Sequence, residues 1–223
     1  MPPTIRAVVF DLDGLMLNTE DIFELAGQEL LARRNLVMTD EIRHGMMGRR
    51  AHEAFCFLKE QTGIPDDIPR LMLETKDLFL ELATGRLAMM PGLVELLDLI
   101  ERINLPRAVA TSSPREYMTW LLTTFGLLDR FQFTLTAEDV THGKPHPEIY
   151  LAASARLGVT PAEMLVFEDS ETGTRSAAAA GAFVVSVPNR HTEMQDFSMS
   201  SLRVGQLNDE RVLQILHRSI VHQ

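Results

Sequence analysis

Short, nearly unbroken apolar runs alternate along this chain with stretches whose apolar residues recur every three or four positions. The runs are Ala7–Phe10, Arg107–Thr111, Phe131–Leu135, Leu165–Glu168 and Phe183–Val187. Strands buried on both faces of a parallel sheet have this character. Two of the intervening stretches carry start signals for helices. Ser113-Pro114-Arg115-Glu116 and Thr160-Pro161-Ala162-Glu163 read as capping boxes with proline at the first helical position. Such alternation predicts an α/β fold, a Rossmann-like doubly wound parallel sheet. The four alanines at 177–180 predict a helix turn packed closely against that sheet. Beyond Thr192 the pattern predicts a loop, a short edge strand near Leu202–Val204 and a final helix.

Residues 17–87 break the alternation. No strand pattern appears there, and helical spacing dominates. Ala51, Ala54, Phe55 and Leu58 mark one apolar face; Ile68, Leu71, Met72, Leu78, Phe79 and Leu82 mark another. The expected organisation is an α/β core from residues 1–16 and 88–223, with an all-α cap domain inserted as residues 17–87. Pro91-Gly92 opens the next core helix. The insertion leaves just after the first strand and returns through Gly85–Pro91, as expected of a hinged lid.

Composition narrows the choice of partners. The chain has 223 residues, 45% hydrophobic and 23% charged, enough for a full core. A net charge of −10 and a pI near 5.2 argue against nucleic acid and anionic membranes. The longest apolar run, Ala177–Val187, is broken by Gly181 and Ser186 and is too short to span a bilayer. Met1–Arg6 lacks the apolar stretch of a signal peptide, and the single cysteine, Cys56, fits a reducing compartment. The expectation is a cytoplasmic protein acting on a small molecule, as a monomer or a homodimer.

Chemistry concentrates where the strands end. In Val8-Val9-Phe10-Asp11-Leu12-Asp13-Gly14 two carboxylates follow the first run one residue apart. They would point the same way if the strand continued, at the edge where open α/β sheets keep ligands. Adjacent acids repel unless a cation or shared proton intervenes. The pair therefore suggests a hard metal, one carboxylate as nucleophile and the other as acid/base. After the second run, Thr111-Ser112-Ser113 precedes a helix N-terminus, a setting suited to a phosphoryl group. Ser113 reads as the cap, leaving Thr111 and Ser112 for that role. Gly143-Lys144-Pro145-His146-Pro147 holds a lysine on a rigid flank, and Glu168-Asp169 adds two acids after a buried run. The seven histidines show no metal-ligand spacing, His142 and His146 read as exposed loop residues, and Trp120 reads as core.

Asp11, Asp13, Thr111, Lys144, Glu168 and Asp169 together resemble the ordered four-motif signature of the haloacid dehalogenase superfamily, across nearly the whole chain. The helical insertion after the first motif, Gly143-Lys144-Pro145-His146-Pro147-Glu148-Ile149-Tyr150 and Glu168-Asp169-Ser170 resemble its β-phosphoglucomutase-like branch, with a helical C1-type cap. The resemblance implies Asp11 as the nucleophile that becomes an aspartyl phosphate. It implies Asp13 as the acid/base, Thr111 as a donor to a phosphoryl oxygen, and Lys144 as the neutralising cation. Mg²⁺ would be held by Asp11, Asp169 and the Asp13 main-chain carbonyl, with Glu168 in or near that shell.

Dehalogenases of the superfamily resemble this chain at the nucleophile but lack the second aspartate and bind no Mg²⁺. Its ATPase pumps carry a lysine where this chain has Leu12. The expected activity is Mg²⁺-dependent hydrolysis of a small phosphomonoester: a sugar, polyol or nucleoside monophosphate. The alternative is a β-phosphoglucomutase-type phosphomutase. Sugar phosphomutases place a cap arginine where this chain has Ala51, and a cap histidine where it has Phe23. Gly48, Arg49 and Arg50 are candidate substrate-binding residues of the cap, with Ser112 in the core. The two arginines read equally well as cap cations or as a solvated helix start. Met46-Met47-Gly48-Arg49-Arg50-Ala51 resembles the cap loop of phosphatases acting on small phosphates such as pseudouridine-5′-phosphate.

Overall fold

The computed structural model describes residues 4–46 and 51–220. In chain order its elements are β1 (Ala7–Phe10), α1 (Thr19–Ala32), α2 (Asp40–Met46), α3 (Ala51–Thr62), α4 (Ile68–Ala83), α5 (Leu93–Arg102), β2 (Arg107–Ala110), α6 (Arg115–Thr124), β3 (Phe133–Leu135), α7 (Glu148–Leu157), β4 (Met164–Glu168), α8 (Glu171–Ala180), β5 (Phe183–Ser186), β6 (Leu202–Arg203) and α9 (Glu210–Ile220). The segments up to Leu17 and from Met89 onward form one compact unit; Asn18–Ala88 forms another.

The first unit is a six-stranded parallel sheet in the order β3-β2-β1-β4-β5-β6. It is the Rossmann-like architecture, with strand order reversing around β1, so the carboxyl ends of β1, β2 and β4 open beside one another. Every residue of β1 and β4 is buried. Phe10 and Phe167 sit at paired positions of these strands, and their rings stack with centroids 5.1 Å apart. The alanine turn of α8 packs as expected, with Ala177 and Ala180 buried in the same core as Val166 and Val184.

Three local details depart from the sequence reading. Phe131 follows a 3₁₀ turn at Leu128–Arg130 and places its ring edge-on to Phe10, so β3 begins two residues later. The capping box at Thr160 forms, but on a single 3₁₀ turn, Pro161–Glu163, that leads straight into β4. Trp120 is only half-buried, lying beside Tyr117 rather than in the core.

The second unit is all helical. α4 buries Leu71, Thr75, Leu78, Phe79 and Ala83, the stripe expected of an amphipathic helix. Asp67 caps it by accepting from the Arg70 N–H at 2.8 Å. Ile68, Met72 and Leu82 flank the stripe, half-buried. Among the described residues, no helix is long and apolar enough to cross a membrane.

Arg34, at the end of the α1 turn, ties this unit together. It donates to Asp66 at 3.1 Å and to Glu74 at 2.7 Å. The Arg34 guanidinium holds both carboxylates below their ordinary range. A depressed carboxylate contributes stability above its unfolded pKa and loses it as pH falls through the folded value, here below about pH 4. Arg34→Ala is expected to lower the unfolding midpoint at neutral pH by about 2–4 °C and to weaken the acid-side loss. Calorimetric scans at neutral and acid pH check both; an unchanged acid slope would contradict this account.

Candidate active site

Three strand ends and one loop build the site. Asp11 follows β1 directly, and its N–H still donates to Phe167 O at 3.0 Å, so the backbone stays in register with β4 as the carboxylate emerges. Asp11 is buried and Asp13 half-buried. Gly14 then turns the chain with φ +74°, and a Cβ there would collide with the Asp169 carboxylate and the Asn189 amide. Only glycine both adopts that conformation cheaply and leaves the space open.

The cationic centre is Lys144. Its ammonium donates to Asp11 Oδ1 at 2.5 Å, Glu168 Oε1 at 2.6 Å and the Ala110 carbonyl at 3.0 Å. Burial opposes the lysine's charge, but the Asp11 and Glu168 carboxylates outweigh it and hold its pKa well above an ordinary lysine's. Glu168 is fully buried, which pushes its carboxyl upward against the pull of Lys144. The buried Tyr150 hydroxyl donates to the same Glu168 oxygen.

The loop that presents Lys144 is anchored at both ends. Glu148, at the start of α7, accepts from the Thr141 and His142 N–H groups at 2.7 and 3.0 Å. Ser176 donates to the His146 carbonyl at 2.7 Å.

Hydroxyls surround Asp13. Its Oδ2 accepts from Ser113 Oγ at 2.6 Å and Thr111 Oγ1 at 3.4 Å, and its Oδ1 from Tyr117 at 3.1 Å. Thr111 Oγ1 also accepts from the Ser113 N–H at 3.0 Å, fixing the turn after β2. Ser113 is therefore not the helix cap that the sequence suggests: Pro114 occupies that place, with no side-chain cap bond. The Arg115 N–H at the start of α6 instead donates to the Glu138 carboxylate at 3.2 Å.

The donor set fits a hard divalent cation. One carboxylate oxygen each from Asp11, Glu168 and Asp169 lies within 4.8 Å of the others, and all three residues are buried. Asp169 Oδ2 is held by Asn189 Nδ2 at 2.8 Å, which also donates to Gly14 O at 3.1 Å. Glu168 Oε2 is buried with no hydrogen-bond partner among the described residues. A buried oxygen of that kind is costly unless a cation or water satisfies it. With all three acids ionised, Lys144 cancels one charge of three, and a divalent ion would cancel the remaining two.

Gly173 supplies room for this arrangement. A Cβ at that position would overlap the Glu168 carboxylate. Gly173→Ala is expected to drive Glu168 away from Lys144, lowering both turnover, by more than tenfold, and the unfolding midpoint. Parallel phosphate-release assays and melts test it; a variant matching the parent would show that the carboxylate shifts freely.

The structure thus gathers Asp11, Asp13, Thr111, Lys144, Glu168 and Asp169 at one sheet edge. Ser112 lies beside them, exposed after β2. Gly48, Arg49 and Arg50 lie outside the described residues. Sequence reasoning missed Tyr117, Tyr150 and Asn189, and gave Ser113 the wrong role. Asn189 carried a readable signal, being a polar residue just beyond the last internal apolar run. Tyr117 and Tyr150 sit inside helices where an aromatic ring ordinarily signals packing.

The family described as Haloacid dehalogenase-like hydrolase matches residues 8–187. Validoxylamine A 7′-phosphate phosphatase of Streptomyces hygroscopicus subsp. limoneus is 34% identical over 83% of this chain and 87% of its own. The phosphorylated carbohydrates phosphatase of Thermotoga maritima is 32% identical over 79% of this chain and 82% of its own. The crystal structure of β-phosphoglucomutase from Clostridium difficile superposes with a TM-score of 0.74 at 23% identity, covering 97% of this chain and 99% of that one. That last likeness is one of fold. The chain belongs to the haloacid dehalogenase-like hydrolase family.

Proposed function

We propose that the protein hydrolyses small phosphorylated metabolites, a sugar, polyol or nucleoside monophosphate, through an aspartyl phosphate on Asp11. The observation that carries this reading is the division of labour between the two aspartates. Asp11 is buried against Lys144, while Asp13 stands half-buried among hydroxyls. The phosphatase names of two relatives support it.

An Asp11 carboxylate oxygen attacks phosphorus as the bond from phosphorus to the ester oxygen breaks. Asp13, protonated for this step, gives its proton to the departing alkoxide. Asp13, now ionised, takes a proton from water, whose oxygen attacks phosphorus. The bond from phosphorus to Asp11 breaks, releasing inorganic phosphate, freeing the Asp11 carboxylate and leaving Asp13 protonated for the next cycle. Lys144 and the Thr111 hydroxyl stabilise the charge that spreads over the phosphoryl oxygens.

Asp11, Asp169, the Asp13 carbonyl and Glu168 would hold Mg²⁺. The ion would supply charge neutralisation where the anionic Asp11 carboxylate approaches the anionic phosphoryl group. The helical unit, as a cap domain, would choose the organic half of the substrate, with Gly48, Arg49, Arg50 and Ser112 as binding residues.

A panel of phosphorylated sugars, polyols and nucleotides assayed with Mg²⁺ tests the proposal. The expected result is phosphate release from at least one member and its loss on chelation. Incubation with β-glucose 1-phosphate and a bisphosphate primer separates the mutase alternative. Glucose 6-phosphate appearing faster than free phosphate would overturn hydrolysis as the principal reaction.

A further inference from the structure

A second group of ligand atoms lies on the loop that carries Lys144. One atom each from His142, His146 and Glu148 falls within 4.8 Å of the others. The two imidazoles face each other at a tilt, with centroids 4.6 Å apart. His142 Nδ1 is 2.9 Å from Glu148 Oε2, and His146 Nδ1 is 3.8 Å from the same oxygen. Donor atoms bound tetrahedrally at ~2.0–2.1 Å sit about 3.3 Å apart, a spacing these two distances bracket. The sequence reading found no metal spacing among the histidines; the pattern is His-x₃-His-x-Glu, broken by two prolines and so invisible as a helical motif.

We infer that His142, His146 and Glu148 form a surface site for a borderline divalent transition ion of the zinc class, and that its occupancy clamps the loop holding Lys144. Two imidazoles and a carboxylate suit zinc, nickel or copper, whereas Mg²⁺ prefers oxygen donors throughout. The carboxylate is prepared for the role. Hydrogen bonds from the Thr141 backbone and the His142 ring and backbone lower its pKa to about 2, so it is ionised at neutral pH. Those backbone bonds also fix its orientation. The ion would replace the proton shared by His142 Nδ1 and Glu148, and the weak 3.3 Å contact from the Glu148 N–H to His146 Nδ1. All three side chains are solvent-accessible, which leaves the remaining coordination position for water.

The test does not depend on the phosphatase reading, because its readouts are binding and backbone protection. Cys56, exposed and 3.6 Å from His52 Nδ1, is a competing zinc ligand, so the full chain carrying Cys56→Ser is the reference. Zinc is titrated against a chromophoric chelator under saturating Mg²⁺. The reference is expected to bind one equivalent, and the variant also carrying His142→Ala and His146→Ala to bind at least tenfold more weakly. Equal zinc binding by the two proteins would overturn the site. Hydrogen exchange over residues 141–148 is expected to slow with zinc in the reference alone. Unchanged exchange there would overturn the clamp.

Discussion

Asp11→Asn is expected to abolish phosphate release while leaving the chain folded. The amide oxygen is a poor nucleophile, and Glu168, the other carboxylate on Lys144, is fully buried. The loss should reach at least about a thousandfold, ~4 kcal/mol in the barrier. Folding should survive because the substitution removes charge from a crowded site without adding volume. Asp11 and Glu168 both contact the Lys144 ammonium, so the cluster of three carries one surplus negative charge when all are ionised. Asparagine would leave Lys144 paired one-to-one with Glu168. Phosphate release under Mg²⁺ and a thermal melt of the same preparation check the two halves. Retention of more than about a tenth of the parent rate would make another group the nucleophile.

Sequence and structure agree most closely wherever a residue's chemistry is fixed by its place at a strand end. The apolar runs before Asp11, Thr111 and Glu168 located β1, β2 and β4 to within a residue, because a strand buried on both faces leaves little freedom in composition. What failed was the reading of short polar residues whose partners are distant in sequence. Ser113 has the local signature of a cap, yet Asp13, a hundred positions away, claims its hydroxyl. The hydroxyl of Tyr150 was hidden for a related reason. Its ring fills the core beneath α7, and only the fold shows that its oxygen reaches Glu168. Local pattern reports which face a residue takes; it does not report which partner waits there.

The same distinction explains why substrate choice was less legible than chemistry. Strand ends of a parallel sheet converge by topology, so their residues can be assembled from strand order alone. A helical insertion has no comparable rule. Its apolar stripe predicted Leu71, Leu78 and Phe79 among the buried positions of α4 but not Thr75 or Ala83, and the Arg34 junction ties the turn after α1 to Asp66 in the loop before α4 and to Glu74 on α4. Helical spacing gives no hint of such a tie.

Lys144→Met should separate binding of the cation from transfer of the phosphoryl group. Methionine keeps much of the lysine's length and removes its charge, so Asp11 and Glu168 would face each other inside the protein with nothing between them. Breaking a buried ion pair in this way typically costs ~3–5 kcal/mol, far more than losing a surface pair. The carboxylate oxygens available to a divalent ion remain, however, and the net charge of the cluster becomes more negative by one. Mg²⁺ is therefore expected to raise the unfolding midpoint of the variant by more than it raises that of the parent, since ligand binding to the folded state stabilises it. Turnover should not recover with that stability. Without the ammonium, nothing on this loop offsets the charge spreading over the transferring group, and the expected loss is at least a hundredfold, ~2.7 kcal/mol. Melts with and without Mg²⁺, together with phosphate release at saturating Mg²⁺, distinguish the two effects. Activity within tenfold of the parent would reduce Lys144 to a structural counter-charge, replaceable by the metal alone.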